Sequence, residues 1–247
     1  LQWERLHKKE TLRRTIQKDP TIQSYYRFLS QYKKDFEKGI FLDLGCGVAW
    51  VSSLLARDGV RVVGIDISKE AISKSKRLFG TQAVAGTFVQ GDLLNLPFQD
   101  KQFSFIWSCM SLEYVRDTKR AIEESYRVLK PNGKMVAVVP VVSLTTLTYH
   151  QLRGDLPNIP LLKQFMEWFH LKLMKGKFML YGYEQSFTPG QLRRLFESAG
   201  FQVNRIHYFP MHYPIAFVPT VIRPFVQSLL AFRPFWPLVY VDAVKKL

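Results

Sequence analysis

The 247-residue sequence predicts an α/β protein, a parallel sheet whose strands are joined by crossover helices. Two observations carry that reading: strand and helix signals alternate at short intervals between residues 40 and 140, and a strand runs through Asp43 into Gly45-Cys46-Gly47 and then a helix. A third sets the scale: 47% apolar and 22% charged residues supply a core and exclude a disordered, collagen-like or low-complexity chain.

Ile40–Leu44 reads as a buried strand and Val48–Arg57 as the helix after it. Arg61–Ile65 is a second strand stopped by Asp66, and Ser68 is an N-cap with Glu70 in the first turn of the next helix. Thr87–Gln90 and Phe103–Ser108 are the third and fourth strands. Asp117–Leu129 is an amphipathic helix, and Pro131-Asn132-Gly133 a turn feeding a fifth strand, Lys134–Val139. From about 141 to 187 the rhythm is lost. There LLKQFMEWFHLKLMKGKF has helical apolar spacing with basic residues interleaved, and an inserted cap is expected. Thr188-Pro189 opens a helix that stops at Ser198-Ala199-Gly200, Phe201–Tyr208 is a sixth strand, and Trp236–Val244 a seventh. Residues 207–222 hold no Asp, Glu, Lys or Arg, yet Pro210, Pro214 and Pro219 interrupt them before Arg223, Pro224 and FVQSLLAF. A bilayer span needs about 20 continuous apolar residues, so an apolar insertion over about 209–235 is expected in place of a membrane helix. The expected division is a helical arm at 1–38 and one larger domain at 39–247.

The net charge of +15 is uneven: +5 over residues 1–40, +3 over 41–140 and +7 over 141–247. A basic periphery suits a phosphate-bearing substrate, a nucleic acid or an anionic membrane surface, beside the plain alternative of a solvated basic face. The two cysteines, Cys46 and Cys109, cannot build a disulfide framework. The opening residues are charged and lack the apolar stretch of a secretory signal. A reducing, cytoplasmic setting is expected, with a peripheral membrane placement as a candidate.

The stretch FLDLGCGVAWVSSLLA at 41–56 runs from strand through Gly45-Cys46-Gly47 into helix, where glycines let backbone approach a ligand and helix N–H groups can hold an anion. A dinucleotide fingerprint needs a third glycine where this chain has Trp50, whose bulk blocks close helix–strand packing. Asp66, at the carboxyl end of the second strand and 19 residues beyond Gly47, is placed to accept hydrogen bonds from ribose hydroxyls. Gly91-Asp92-Leu93 ends the third strand, followed by Leu96-Pro97-Phe98.

In FLDLGCG, VVGIDIS, GDLLNLPF, FSFIWSCMSLEYV and ESYRVLKPNGKMV the sequence resembles the class I S-adenosylmethionine-dependent methyltransferases, and more narrowly their small-molecule group that includes the ubiquinone and menaquinone C-methyltransferases. The resemblance spans about residues 38–140, with SFTPGQLRRLFESAGF at 186–201 as a further match. It implies a Rossmann-like, seven-stranded, mostly parallel sheet with helices on both faces and its last strand antiparallel. Carried over by position, it implies that Asp43 and the Gly45-Cys46-Gly47 loop bind the amino-acid end of the cofactor. Asp66 would hold the ribose hydroxyls and Ile67 would pack on the adenine. Asp92 would face the adenine amino group with Leu93 beside the ring, and Ser108 would line the methionine moiety. Three positions depart from the family: Ala49 stands where a third glycine is usual, Ser104 where the fourth strand often has an acid, and Leu112-Glu113-Tyr114-Val115 where many members have L-x-H-V.

Methyl transfer is an in-line displacement that positioning and water exclusion can drive. Where the acceptor needs a base, the candidates are Glu113, His150, His170, His207 and His212, and each histidine has a packing or surface role as its plain alternative. Tyr25, Tyr26, Glu113 and Tyr114 are candidates for lining the acceptor site. No Cys/His/Asp grouping has metal-ligand spacing, so no metal is expected. The expected acceptor is small and apolar or lipid-linked. A nucleic-acid methyltransferase and a catalytically silent cofactor-binding protein are the alternatives.

Overall fold

A computed structural model describes residues 19–144, 156–159, 161–173, 183–209 and 219–246. Its opening helix α1 (Pro20–Ser30) starts at Asp19, whose carboxylate accepts from the N–H groups of Thr21 at 2.9 Å and Ile22 at 3.2 Å, with proline at the first helical position. A short α2 (Lys33–Phe36) follows, then β1 (Ile40–Leu44), α3 (Trp50–Arg57), β2 (Arg61–Asp66), α4 (Lys69–Thr81), β3 (Thr87–Gln90) and β4 (Phe103–Cys109). After β4 come α5 (Thr118–Val128), β5 (Leu129–Pro140), α6 (Leu162–Glu167), α7 (Pro189–Ser198), β6 (Gln202–Tyr208), α8 (Arg223–Ala231) and β7 (Leu238–Val244).

The seven strands form one sheet in the order β3-β2-β1-β4-β5-β7-β6. Strands β1 to β5 pair in parallel, and β7 runs antiparallel to both β5 and β6. Order reverses between β1 and β4, the position at which an open parallel sheet forms a crevice beyond its carboxyl edge. Both faces are covered, so the central strands are mostly apolar instead of alternating. Phe41, Phe105 and Trp107 pack beneath α1, α3 and α4, while Leu42, Leu44 and Ile106 pack beneath α5 and α7. Ile22, Leu29, Tyr32 and Phe36 belong to the first of these layers, so α1 and α2 close the core on that face. Tyr32 also donates to Asp242 Oδ2 of β7 at 3.1 Å.

Local signals place most elements. Ser68 accepts from the Ala71 N–H at 3.1 Å, as its N-cap position predicts, and Thr188 and Gln191 form a reciprocal capping box at the start of α7. Three readings differ from expectation. Helix α3 starts at Trp50, two residues later than expected, because Gly47 (φ 51°) and Ala49 (φ 56°) are left-handed and hold the chain out of helix. Pro131-Asn132-Gly133 lies inside β5 as a bulge: Phe103 pairs with Leu129 but Phe105 with Lys134, and Asn132 takes a left-handed φ of 61°. The helical run predicted at 161–178 is α6 followed by a π-helical turn over Trp168–Leu173, and its last five residues lie outside the described ones. Most of the Pro-rich stretch, residues 210–218, lies outside them too.

Candidate active site

A cleft of about 470 Å³ opens beyond the carboxyl ends of β1, β2 and β4, between the β1–α3 loop and the turns after β3 and β4. Gly45, Cys46, Gly47, Asp66, Ile67, Asp92 and Leu93 line it. The topology thus gathers residues spread over 49 positions into one crevice. Tyr114 lines it as well.

Asp66 is the best-held polar group there. Its Oδ2 accepts from the Gly47 N–H and its Oδ1 from the Ser68 N–H, both at 2.9 Å, and the residue is largely buried. A carboxylate offers about four acceptor sites. Two are spent on the backbone, leaving one on each oxygen for a pair of neighbouring hydroxyls. Beside it Ile67 is 54% exposed, an apolar side chain open to the cleft, and Leu93 lines the same space. Asp92 is exposed and fixed by the Leu94 N–H on its Oδ1 at 2.9 Å.

The glycine loop lines the cleft, but its own N–H groups are spent inside the protein. The Gly45 and Cys46 N–H groups both donate to the Ile65 carbonyl at 2.9 Å, and that of Gly47 is spent on Asp66. The loop is therefore a spacer laced onto β2. Gly45 has a φ of 74°, and a Cβ there would lie 2.4 Å from Ser111 Cβ. The glycine is demanded by the turn after β4 passing over it.

Two of the residues expected to contact the cofactor lie behind the cleft surface. Ser108 is fully buried and does not line the cleft; its Oγ lies 2.6 Å from Ser111 Oγ, which donates to the Leu44 carbonyl and takes the facing position. Asp43 lies under the floor: it is buried, bound by the Ser52 hydroxyl of α3, and absent from the lining. Burial, partly offset by Ser52 and reinforced by Asp66, raises its carboxyl to about 7. Burial likewise holds the Cys46 and Cys109 thiols well above their usual range, so both are poor nucleophiles.

The expected bases and lids also move. Glu113 is fully buried in a 3₁₀ turn, Leu112–Tyr114, and does not line the cleft. His207 sits on the edge strand β6 with its ring 5.3 Å from Trp236, far along the sheet from β1. His150 and His212 lie outside the described residues, as does the side chain of His170. Tyr25 stacks on Phe209 at 5.5 Å and meets Trp107 edge-on, so it is part of the core. Tyr26 donates to Asp58 at 2.6 Å, at the far end of α3. Sequence reasoning missed Val48, Trp50, Cys109, Met110, Ser111 and Val115 as lining residues. Met110, left-handed at φ 54°, turns the chain after β4 back over the loop, and no local signal marks that. Among the described residues no group of His, Cys, Asp and Glu could hold a metal.

A family described as methyltransferase domain matches residues 42–137. Among curated relatives, the malonyl-[acyl-carrier protein] O-methyltransferase of Enterobacter lignolyticus is 30% identical over 45% of this chain and 40% of its own length. The chloroplastic tocopherol O-methyltransferase of Arabidopsis thaliana is 31% identical over 47% and 35%. The demethylmenaquinone methyltransferase of Lactiplantibacillus plantarum is 28% identical over 68% and 71%. The chain thus spans less than half the length of the first two. Among solved structures, the PH0226 protein of Pyrococcus horikoshii aligns with a TM-score of 0.66 over 98% of this chain and 99% of its own at 19% identity. Geranyl diphosphate C-methyltransferase of Streptomyces coelicolor, solved with S-adenosyl-L-homocysteine, aligns with a TM-score of 0.64 over 90% and 79% at 16% identity. At such identities the structures establish a shared fold.

Proposed function

We propose that the protein transfers a methyl group from S-adenosylmethionine to a small, apolar or lipid-linked acceptor, a reading supported by the match of residues 42–137 to a methyltransferase domain. The observation that carries the reading is Asp66, fastened by two backbone N–H groups with one acceptor site open on each oxygen, inside a cleft whose neighbouring surfaces are apolar.

The residues fit such a cofactor. Asp66 meets the ribose hydroxyls, and Ile67 and Leu93 offer apolar surface to the adenine, which accounts for the exposure of Ile67. Asp92 accepts from the adenine amino group. Gly45 and Gly47 keep the floor low, and the carboxylates of Asp66 and Asp92 favour a cationic ligand. Bound there, S-adenosylmethionine supplies an electrophilic methyl group carried by a sulfonium.

The chain's own residues orient and enclose. Trp50, Met110, Tyr114 and Val115 give the rest of the cleft an apolar lining, which desolvates an incoming nucleophile and favours an apolar acceptor. Catalysis on this reading is chiefly positioning at near-attack distance with water excluded. Glu113 and His207 do not line the cleft, and this reading assigns neither of them a part.

Calorimetric titration with S-adenosylmethionine, S-adenosylhomocysteine and NAD tests the cofactor. The expected result is binding of the first two and none of NAD; NAD binding alone overturns the reading. Labelled methyl uptake into lipid extract and into RNA then tests the acceptor, and uptake into RNA alone moves the assignment to nucleic acid.

A further inference from the structure

Two helical segments outside the cleft present apolar side chains to solvent. Around α8, Val221, Ile222, Phe225, Leu229 and Phe232 are exposed, Val221 at 88% and Phe225 at 70%. Residues 222, 225, 229 and 232 are spaced by three, four and three, so they form one stripe. Along α6 and the π turn, Leu161 at 77%, Phe165, Trp168 and Leu173 are exposed, spaced by four, three and five. Helices on a globular surface turn such stripes toward the core. Here both face outward, and contiguous exposed apolar surface marks an interaction site where scattered residues do not.

Both segments depart from the same edge of the sheet. Pro140, the last residue of β5, pairs with Leu238, the first of β7; α6 follows the one in the chain and α8 precedes the other. The parallel strands end at that edge too, and there the cleft opens: Cys109 pairs with Val138 of β5 and lines the cleft.

Charge narrows the partner. Residues 207–241 contain no Asp or Glu, and Arg223 and Arg233 flank the α8 stripe. In sequence the segment 161–178 holds four lysines against the single Glu167; among its described residues Lys172 is exposed, while Lys163 donates to Gln185 Oε1 at 3.1 Å and lies over the Tyr183 ring. A second copy of a chain with a net charge of +15 would bring two cationic edges together, and a nucleic acid would leave the aromatic stripes unsatisfied. Exposed aromatic and aliphatic side chains on segments rich in Lys and Arg and poor in acids match the interface of an anionic bilayer, where apolar groups sink about 5–10 Å and cations meet headgroups.

We propose that the carboxyl edge of the sheet docks on the surface of an anionic lipid bilayer through the α6 and α8 stripes. The docking rests on the two stripes and their charge, and stands apart from the methyl-transfer reading. Among the described residues no helix is long and apolar enough to cross a membrane, so the contact is interfacial. With the cleft on the docked edge, a lipid-linked acceptor reaches it directly from the bilayer.

The test is co-flotation of the full chain with phosphatidylcholine vesicles with and without phosphatidylglycerol. Four proteins are compared: wild type, Phe225→Glu with Phe232→Glu, Phe165→Glu with Trp168→Glu, and Ser30→Glu with Ser198→Glu as the charge-matched control. The expected result is binding to phosphatidylglycerol vesicles that falls about tenfold in each stripe variant and little in the control. Brominated acyl chains should quench tryptophan emission less in Trp168→Phe than in wild type. Melting temperatures check that the variants are folded, with Phe225→Ser and Phe232→Ser as substitutes if the glutamates unfold the chain. Absence of flotation at low salt overturns the proposal, as does equal loss in stripe and control variants. A dimer in solution that the stripe variants dissociate overturns it in favour of self-association.

Discussion

Asp66 does two jobs, and one substitution separates neither: its carboxylate fastens Gly47 and Ser68 and keeps two acceptor sites on the cleft. Asp66→Ala should weaken S-adenosylhomocysteine binding by about 1–3 kcal/mol, roughly 5- to 150-fold, and lower the melting temperature as well, because two N–H groups lose a charged acceptor. Calorimetry and melting curves check both, and unchanged affinity would refute the ribose placement. Gly45 tolerates no side chain. In Gly45→Ala the new Cβ meets Ser111 at a backbone angle that L-residues rarely adopt, so a loss of about 2 kcal/mol or more is expected by chemical denaturation. Asp43 gives the ligand-free protein a pH signature. Its folded value of about 7 lies above the ordinary 3.8, so the native state keeps a proton that the unfolded chain releases. Its contribution is therefore full below about pH 4 and declines as pH rises to about 7, by on the order of 2–4 kcal/mol. Denaturation between pH 5 and 8 should show that slope in wild type and a flatter one in Asp43→Asn.

Among the elements, α5 acts as the clamp for the loop that carries Asp92 and Leu93. Arg127 donates to the carbonyls of Leu96 at 2.9 Å and Phe98 at 2.8 Å, and to Asp100 at 2.8 Å, while pairing through two nitrogens with Glu124. Glu124, itself buried, accepts from the Leu96 N–H at 2.9 Å, and Arg120 reaches the Leu94 carbonyl. The Arg127 hydrogen bonds, against the pull of burial, hold the Glu124 carboxyl below its usual range. Arg127→Met leaves that carboxylate without its main partner and the loop without its fastener. A loss of about 2–3 kcal/mol is expected, with faster amide hydrogen exchange over residues 92–98 and several-fold weaker S-adenosylhomocysteine binding. Unaltered exchange in that loop would show the clamp to be idle.

For the whole molecule, the cleft's walls come from the β1–α3 loop and from the turns after β3 and β4, so a ligand seated there ties together segments that would otherwise separate on unfolding. A ligand at 100 times its dissociation constant adds about 2.7 kcal/mol to stability, which for a chain of this size raises the melting temperature by about 5–10 °C. S-adenosylhomocysteine should produce that shift and NAD none in a thermal melt.

The seven strands of the main sheet, the caps Ser68 and Thr188 and the lining residues Gly45, Gly47, Asp66, Asp92 and Leu93 were legible in the sequence, because apolar periodicity, capping residues and strand-end carboxylates are encoded within a few positions of one another. The sequence also showed the last two strands as segments, while their antiparallel place at the sheet's end came from the family resemblance. Only the tertiary structure decided the contacts between distant positions. It put Ser111 in the place expected of Ser108, because the left-handed Met110 swings the chain back over Gly45, 66 residues earlier. It buried Glu113 in the 3₁₀ turn after β4, and it left His207 on an edge strand, because strand order, invisible to local pattern, sets that strand's distance from the crevice. And it turned the stripes of α6 and α8 outward. Periodicity defines a helix face, but only packing against the rest of the chain determines whether that face meets core or solvent.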